Sequence, residues 1–316
     1  MSAAFAPVAA IVVTHNRREL LGMSLAGIEA QTRPPELVIV VDNASTDGTR
    51  EFLTNRAWVL PHRIERMTSN TGGAGGFAHG IDLAASQGYA AWILDDDAVP
   101  EPRALEVLLD DVSALAAAGL VPAFICSAVE WVDGSANRGN VPRPLGQWND
   151  AAIRTGRPVV QVSAASFVST LVPAEHARAV GLPFAGYHKW FDDVEYTTRL
   201  YRRFGPGICS LGSRIRHHTV GNDGVQPWTA TPETLEDHVI GLRNRANATL
   251  TNRDARGAFE LARDLARTAR SRQVPRRDRL RLLAGAARGT WYREPVVPVS
   301  TDVPVSRYEA PEPQTR

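Results

Sequence analysis

Cysteine is nearly absent from this 316-residue chain. Cys126 and Cys209 have no neighbours at metal-ligand spacing and form no framework, so two buried thiols in a reducing compartment are expected. Long hydrophobic runs are missing too. The longest stretch without a charge, Val112 to Val129, is 18 residues, and it holds Ser113, Gly119, Pro122 and Ser127. That composition suits a helix end, a turn and a core strand better than a membrane span. No basic segment followed by an apolar one opens the chain, so no secretory leader is expected. What is present is ordinary for a soluble protein, 44% hydrophobic and 22% charged, enough for one large α/β domain or two smaller ones with an ample core.

Net charge is small, +1, but it is unevenly spread. Residues 1–242 carry 19 Lys+Arg against 26 Asp+Glu, whereas residues 243–293 carry 14 Arg against 4 acids. An acidic body followed by a basic helical segment suggests an anionic partner: membrane phospholipid, a lipid pyrophosphate or nucleic acid.

The sharpest positive signal is Trp92-Ile93-Leu94-Asp95-Asp96-Asp97. A short apolar run closing on three carboxylates reads as an inner strand of a parallel sheet that stops at an acidic edge. Neighbouring carboxylates repel, so the edge calls for a positive partner, and hard divalent ions such as Mg2+ or Mn2+ suit carboxylate and phosphate oxygens. The blander alternative is a solvated turn, with Asp96 or Asp97 capping a helix over Pro100 to Leu109. Two further buried-strand runs stand upstream. Val8 to Val13 is broken by Thr14-His15-Asn16-Arg17, and Leu37 to Val41 closes on Asp42. Between them a helix carries Leu20, Leu21, Leu25 and Ile28 on one side, an order that marks a βαβ unit. Ligands of such sheets bind beyond the carboxyl ends of the strands, so Arg17, Asp42 and the triple Asp are expected on one rim.

Asn70-Thr71-Gly72-Gly73-Ala74-Gly75-Gly76 precedes a helical stretch from Phe77 to Ser86, where glycines allow close backbone approach and a helix N-terminus favours phosphate. Gly73 to Ala78 also satisfies the G-x-G-x-x-G/A dinucleotide pattern, with Asp95 about 20 residues on. Against a dinucleotide site stand the charged residues Arg63, Glu65 and Arg66 in the preceding strand, the two good strands already before the glycines, and three acids where one would serve.

Trp131 to Pro158 is rich in Gly, Pro and Asn, without a period, and is expected to be a functional or disordered loop. Gln161 to Leu171 reads as one strand. Trp190-Phe191-Asp192-Asp193-Val194-Glu195-Tyr196 runs into a helix ending at Phe204. One of Asp192 and Asp193 is expected to cap it. The other, beside aromatic rings, is a candidate general base, because partial desolvation raises its proton affinity. Ile208 to Ile215 forms a last strand ending in Arg216-His217-His218, and a His there is a candidate metal ligand. Helical patterns then cover Glu233 to Leu250, Ala258 to Ala269 and Arg279 to Ala287. These are either packing helices with a solvated Arg face or an interfacial surface where Arg and Trp291 meet headgroups. The segmentation is an α/β body over 1–230, an Arg-rich helical segment over 231–293 and a Pro-rich tail over 294–316 that is expected to be disordered.

In this order, Val12-Val13-Thr14-His15-Asn16-Arg17, Val41 to Thr49, Asn70 to Phe77, Asp95-Asp96-Asp97 and Asp192-Asp193-Val194-Glu195-Tyr196 resemble family-2 inverting glycosyltransferases of the GT-A fold. With a later Arg-Asn-Arg at 243–245, the set looks most like the galactofuranosyltransferases that build cell-wall galactan. The resemblance implies a GT-A catalytic domain over 1–230, a single Rossmann-like, mainly parallel sheet flanked by helices, with a C-terminal helical extension. It implies that Thr14, Arg17, Asp42, Asn70, Gly72, Gly73, Asp96, Trp190 and Asp192 hold a UDP- or dTDP-linked sugar. Asp95, Asp97 and His217 would bind Mn2+ or Mg2+, with His217 preferred to His218 for its separation from Asp193. Asp193 would be the base. The acceptor would be a polyprenyl-diphosphate-linked glycan at the inner face of the cell membrane, with no nucleic acid involved. Where the family has Trp directly before the Asp pair, this chain has Phe191, with Trp190 one place earlier. Rhamnose from a dTDP donor is the alternative sugar, and an NAD(P)-dependent oxidoreductase or a non-enzymatic membrane- or nucleic-acid-binding protein the more distant readings.

Overall fold

The computed structural model describes residues 5–146, 149–224 and 226–301. Ten strands form one sheet. They are Val8–Thr14 (β1), Leu37–Asp42 (β2), His62–Arg66 (β3), Ala90–Asp95 (β4), Ala98–Pro100 (β5), Ile125–Trp131 (β6), Arg143–Pro144 (β7), Val159–Ala164 (β8), Thr170–Val172 (β9) and Gly207–His217 (β10). The helices are Arg18–Glu29 (α1), Thr49–Asn55 (α2), Gly72–Ser86 (α3), Ala104–Ala117 (α4), Asp150–Thr155 (α5), Ala174–Val180 (α6), Asp192–Phe204 (α7), Leu235–Thr251 (α8), Ala255–Arg270 (α9) and Arg276–Trp291 (α10).

Strand order is β3-β2-β1-β4-β9-β6-β10-β8-β7, with β5 pairing to β10 off this path. β1, β2, β3 and β4 are parallel, and β9 then runs antiparallel between β4 and β6. Every residue of β1 and β2 is buried, as the continuous apolar runs require of strands covered on both faces. Alternation along β1 sends Ala9, Ile11 and Val13 to one core and Val8, Ala10 and Val12 to the other. The register sets the carboxyl ends level: Thr14 pairs with Asp42, and Val13 with Asp95.

Several sequence expectations shift for physical reasons. The segment after the triple Asp is not a helix start but strand β5, which pairs antiparallel with β10 and places Ala98 opposite His217. α4 begins only at Ala104, so neither Asp96 nor Asp97 caps it, and both are buried. The single strand expected from Gln161 to Leu171 is two, β8 and β9, because the chain leaves one edge of β10 and crosses to lie between β4 and β6. The glycine run is not a loop. Gly72 to Gly76 open α3, and a Cβ on Gly76 or Gly80 would fall 2.4 Å from Val13 or Ile11, so bare positions let the helix lie close on β1. The unperiodic stretch 131–158 holds β7 and α5, with Gln147 and Trp148 outside the described residues. Cys126 and Cys209 are neighbours in register, buried with free thiols.

The C-terminal helices pack on one another through small residues. A Cβ on Gly285 would meet the Val239 carbonyl oxygen at 2.6 Å, and one on Gly289 the Arg243 carbonyl oxygen at 2.2 Å. Leu235, Leu242, Val274, Leu282 and Ala286 fill the seam. Residues 294–301, placed in the disordered tail by the sequence analysis, run along the body instead. The Val297 carbonyl accepts from Leu182 N–H at 2.8 Å, Val299 joins the core, and Ser300 binds the Asp82 carboxylate. The apolar Val residues among the prolines make this docking favourable. Residues 302–316 lie outside the described residues.

Candidate active site

Asp95 is the last residue of β4, and Asp96 and Asp97 fill the turn into β5. Because β5 pairs with β10, the end of β10 is carried back across this turn. His217 Nε2 lies 2.8 Å from Asp97 Oδ1 and 3.8 Å from Asp95 Oδ2. One ligand atom from each of Asp95, Asp97 and His217 falls within 4.8 Å of the others. On the far side, Arg17 Nη1 reaches Asp97 Oδ2 at 2.7 Å and Asp96 Oδ1 at 3.3 Å. Thr14 Oγ1 donates to Asp96 Oδ2 at 2.8 Å.

Crowding is visible in the proton affinities. Burial and the charge of Asp97 push the Asp95 carboxyl up to about 7, and burial raises Asp96 to about 6. Burial acts on Asp97 in the same sense, yet the hydrogen bond and charge of His217, with Arg17, carry it below the usual range. His217 is raised: burial opposes its charge, and the Asp97 hydrogen bond with the Asp95 charge outweighs that. Two carboxylates and an imidazole are the donor set of a hard-to-borderline divalent cation, which would relieve this repulsion directly. The other ring nitrogen, His217 Nδ1, sits 3.0 Å from Asn140 Oδ1, the outer contact that orients a ligating His. The residues fit such an ion.

The opposite wall is the start of α7. His188, Trp190 and Phe191 all take the left-handed conformation, with φ of 64°, 66° and 69°. For non-glycine residues each such position costs about 1–3 kcal/mol, so the surroundings must impose it. α8 does so. Asn244 Nδ2 donates to the carbonyls of Tyr187 (2.8 Å), Lys189 (2.9 Å) and Trp190 (3.0 Å), and Arg243 Nη2 to that of Gly186 (2.9 Å). Gly241 leaves room for the Trp190 ring, which a Cβ would approach to 2.7 Å. The turn delivers Asp192 and Asp193 into the cleft. Asp193 is pushed up to about 6, by burial first, while the N–H groups of Val194 and Phe167 and the charge of Arg143 hold it back. Asp192 is raised further, by burial and then by Asp193. Lys189, the only lysine in the chain, stands at the same wall, paired with Asp237 and 5.2 Å over the Trp190 ring.

Between the walls lies a cleft of about 900 Å³. Thr14, Arg17, Asn70, Gly72, Gly73, Asp95, Asp96, Asp97, Trp190, Asp192, Asp193 and His217 all line it. Asp42 is not brought there. Its oxygens accept from Arg66 Nη1 and Ser45 N–H, each at 2.8 Å, and its neighbour Asn43 lines the cleft instead. Asn43 ties the loop to α3 by donating to the Gly72 carbonyl at 2.8 Å and accepting from Thr71 N–H at 2.9 Å. A Cβ on Gly72 would fall 2.0 Å from the His188 carbonyl oxygen, so this glycine is where the two walls touch. Sequence reasoning passed over Asn43, Asn140, His188 and Asn244 as site residues. Two of them had left a signal, Asn43 within the motif Val41 to Thr49 and Asn244 in the Arg-Asn-Arg at 243–245.

A sheet whose parallel half ends in acids, joined to a mixed half that returns a His to them, is the architecture of a GT-A glycosyltransferase. The chain belongs to glycosyl transferase family 2, whose family model matches residues 9–166. It is 34% identical over 251 residues to galactofuranosyltransferase GlfT1 of Mycolicibacterium smegmatis, covering 75% of this chain and 81% of that protein. Galactofuranosyltransferase GlfT1 of Mycobacterium tuberculosis H37Rv is 32% identical over 229 residues, 70% of this chain and 72% of that one. In fold it resembles GalNAc-T7 solved with UDP, GalNAc and Mn2+ (TM-score 0.58, 12% identity, 88% of this chain and 54% of that one). It also resembles S. aureus TarS 1–349 solved with UDP-GlcNAc (TM-score 0.55, 17% identity, 88% and 79%). Membership of this family overturns the dinucleotide reading. Among the described residues no helix is long and apolar enough to cross a membrane.

Proposed function

We propose that the chain transfers galactofuranose from UDP-galactofuranose, with inversion and with a divalent cation bound, to a hydroxyl of a lipid-linked cell-wall or surface glycan. The observation that carries this reading is the pairing of two walls across one cleft. Asp95, Asp97 and His217 converge to within 4.8 Å on one side, and on the other the Asp193 carboxyl is raised to about 6. The names of the GlfT1 relatives support the sugar, and the UDP, UDP-GlcNAc and Mn2+ of the fold neighbours support the nucleotide and the ion.

Asp95, Asp97 and His217 would hold Mn2+ or Mg2+, and neutralising charge on a departing diphosphate is the chemistry such an ion supplies. Arg17 and Thr14 fix Asp96 and Asp97, so the acids keep their places while the negatively charged donor enters. Thr14, Arg17, Asn70, Gly72, Gly73, Asp96, Trp190 and Asp192 bind the nucleotide sugar. Asp42 supports that rim from behind, through Arg66 and Ser45. Asp193 accepts the proton of the attacking hydroxyl, and its raised affinity keeps it ionised yet basic near neutral pH. The attack comes from the face opposite the leaving group, which inverts the sugar carbon.

The C-terminal helices complete the picture of a peripheral enzyme at the inner membrane face. Phe259, Leu280 and Trp291 are exposed among the arginines of α9 and α10, a pattern suited to anionic headgroups. The test is thermal protection by UDP-galactofuranose with and without Mn2+, with dTDP-rhamnose as competitor, followed by product analysis with and without EDTA. Protection and turnover specific to UDP-galactofuranose and abolished by EDTA are expected. Protection by dTDP-rhamnose alone moves the donor to rhamnose, and full turnover in EDTA removes the cation.

A further inference from the structure

The wall that carries Asp193 continues onto helices that proton removal does not need. Arg143 (β7) and Arg245 (α8) both line the cleft. Arg143 Nη1 lies 2.6 Å from Asp254 Oδ2, and its Nη2 3.5 Å from Glu260 Oε2. Arg245 Nη1 lies 2.8 Å from Asp264 Oδ2, and Nε of the half-exposed Arg263 lies 3.1 Å from Asp264 Oδ1. The Arg245 guanidinium stands 5.7 Å over the Phe191 ring, and its Nε–H is buried without a hydrogen-bond partner among the described residues.

α9 is the unusual element here. A helix that only packs turns an apolar stripe to the body. α9 does so with Leu261 and Leu265, but it also buries Gly257, Asp264 and Thr268, half-buries Glu260, and leaves Phe259 in solvent. Desolvating carboxylates against arginines is at best offset by their pairing, and apolar side chains would fasten the helix at least as well. Such a surface gains its value when a polar ligand has to be read. Fixed carboxylates accept from hydroxyl groups, guanidinium N–H groups donate to hydroxyl and ring oxygens, and an aromatic face takes the C–H side of a sugar ring. Acids and arginines nearly balance on this wall, which suits an uncharged glycan over a phosphate. Space is available as well. The cleft of about 900 Å³ is at the top of the range for one small ligand, roughly 300–1,000 Å³, leaving room beside a nucleotide sugar.

We infer that Arg143, Arg245, Glu260 and Asp264, with Phe191, form the acceptor subsite, and that its ligand is the terminal sugar of a glycan whose hydroxyl is presented to Asp193. The inference rests on the glycosyl-transfer reading and deepens it: the helices after the catalytic domain choose the acceptor.

The full chain with Mn2+ and UDP-galactofuranose is offered octyl β-galactofuranoside, octyl α-rhamnoside and octyl β-N-acetylglucosaminide as acceptors. Glu260→Gln, at a partly exposed position, and Asp264→Asn are compared with the wild type. The acceptor KM should rise roughly tenfold or more in each, the scale of a lost charged hydrogen bond. Calorimetric affinity for UDP with Mn2+ should stay within about twofold, a split that general loosening of the fold would not give. Unchanged acceptor KM in both variants, or UDP affinity falling as far as acceptor affinity, overturns the subsite. So does a wild-type protein that binds UDP with Mn2+ yet accepts none of the three glycosides. A wild-type protein that fails to bind UDP at all counts instead against the proposed function.

Discussion

The two walls of the cleft are built by different means. The Asp95–Asp97–His217 wall is made by strand pairing: β4 ends at the first acid, β5 follows the third, and β5–β10 register sets Ala98 opposite His217. Backbone ladders fix such positions tightly, and nothing there takes an unusual backbone angle. The Asp193 wall hangs on a turn with left-handed residues at 188, 190 and 191, held down by Asn244 from a helix more than fifty residues later in the chain. The candidate ion site is therefore rigid by construction, whereas Asp193, the proposed base, is placed by side-chain hydrogen bonds that a single substitution removes. The comparison teaches where fragility should lie.

The largest break is expected at Asp193, the proposed base. Asp193→Asn should lower turnover by on the order of 10²–10⁴ while UDP affinity with Mn2+ is kept, as read by single-turnover kinetics and calorimetry. On the other wall Asp97→Ala should act on binding first. Mn2+-dependent UDP affinity should be lost, because a proposed ligand is removed and His217 and Arg17 each lose their shorter carboxylate contact. Asn140→Ala is the milder version. Loss of the contact to His217 Nδ1 should weaken Mn2+ binding by roughly 10–100-fold in a titration of the ion alone.

pH separates the walls as well. A base must be ionised, and burial raises Asp193 to about 6 in the free protein, so kcat/KM should climb about tenfold per unit below that pH and level off above it. For stability the sign is reversed. A carboxyl whose folded-state affinity for the proton is raised favours the fold at low pH, and that contribution is lost as pH rises through about 6. The smallest effect is expected for Asn244→Ala. Three carbonyl contacts go, the turn relaxes from its left-handed angles, and stability should fall by about 2 kcal/mol, seen as a lower thermal midpoint. Because Asp193 then wanders, kcat should drop more than the affinity for UDP. An equal drop in both would dissolve the distinction between the walls.

The same difference explains what could be read beforehand. Buried parallel strands are continuous apolar runs, so β1, β2 and β4 and the acids that end them stand out in the sequence. β5 does not: Ala98-Val99-Pro100 is too short for a period, and Pro100 reads as easily as the start of a helix running to Leu109. Without β5, the strand ends suggest a His near the acids, and the choice of His217 over His218 rests on resemblance alone. Asn140 lies in a stretch without pattern, and its value depends on a ring 77 positions away. α8 and α9 read as Arg-rich packing helices, because the partners that give Asn244, Arg245 and Asp264 their meaning lie on other segments. The glycine run has several uses at once. Gly76 and Gly80 are bare for contact with β1, and Gly72 for contact with His188, and one-dimensional text does not tell these uses from a phosphate cradle.

A practical consequence follows from the lone lysine. With 34 arginines and a single Lys189, the chain offers amine-reactive reagents one side-chain target, and that target stands at the mouth of the cleft. A fluorophore attached there would report entry of sugars and nucleotides on the unmodified sequence, with no engineered cysteine and no competing label elsewhere except at the amino terminus.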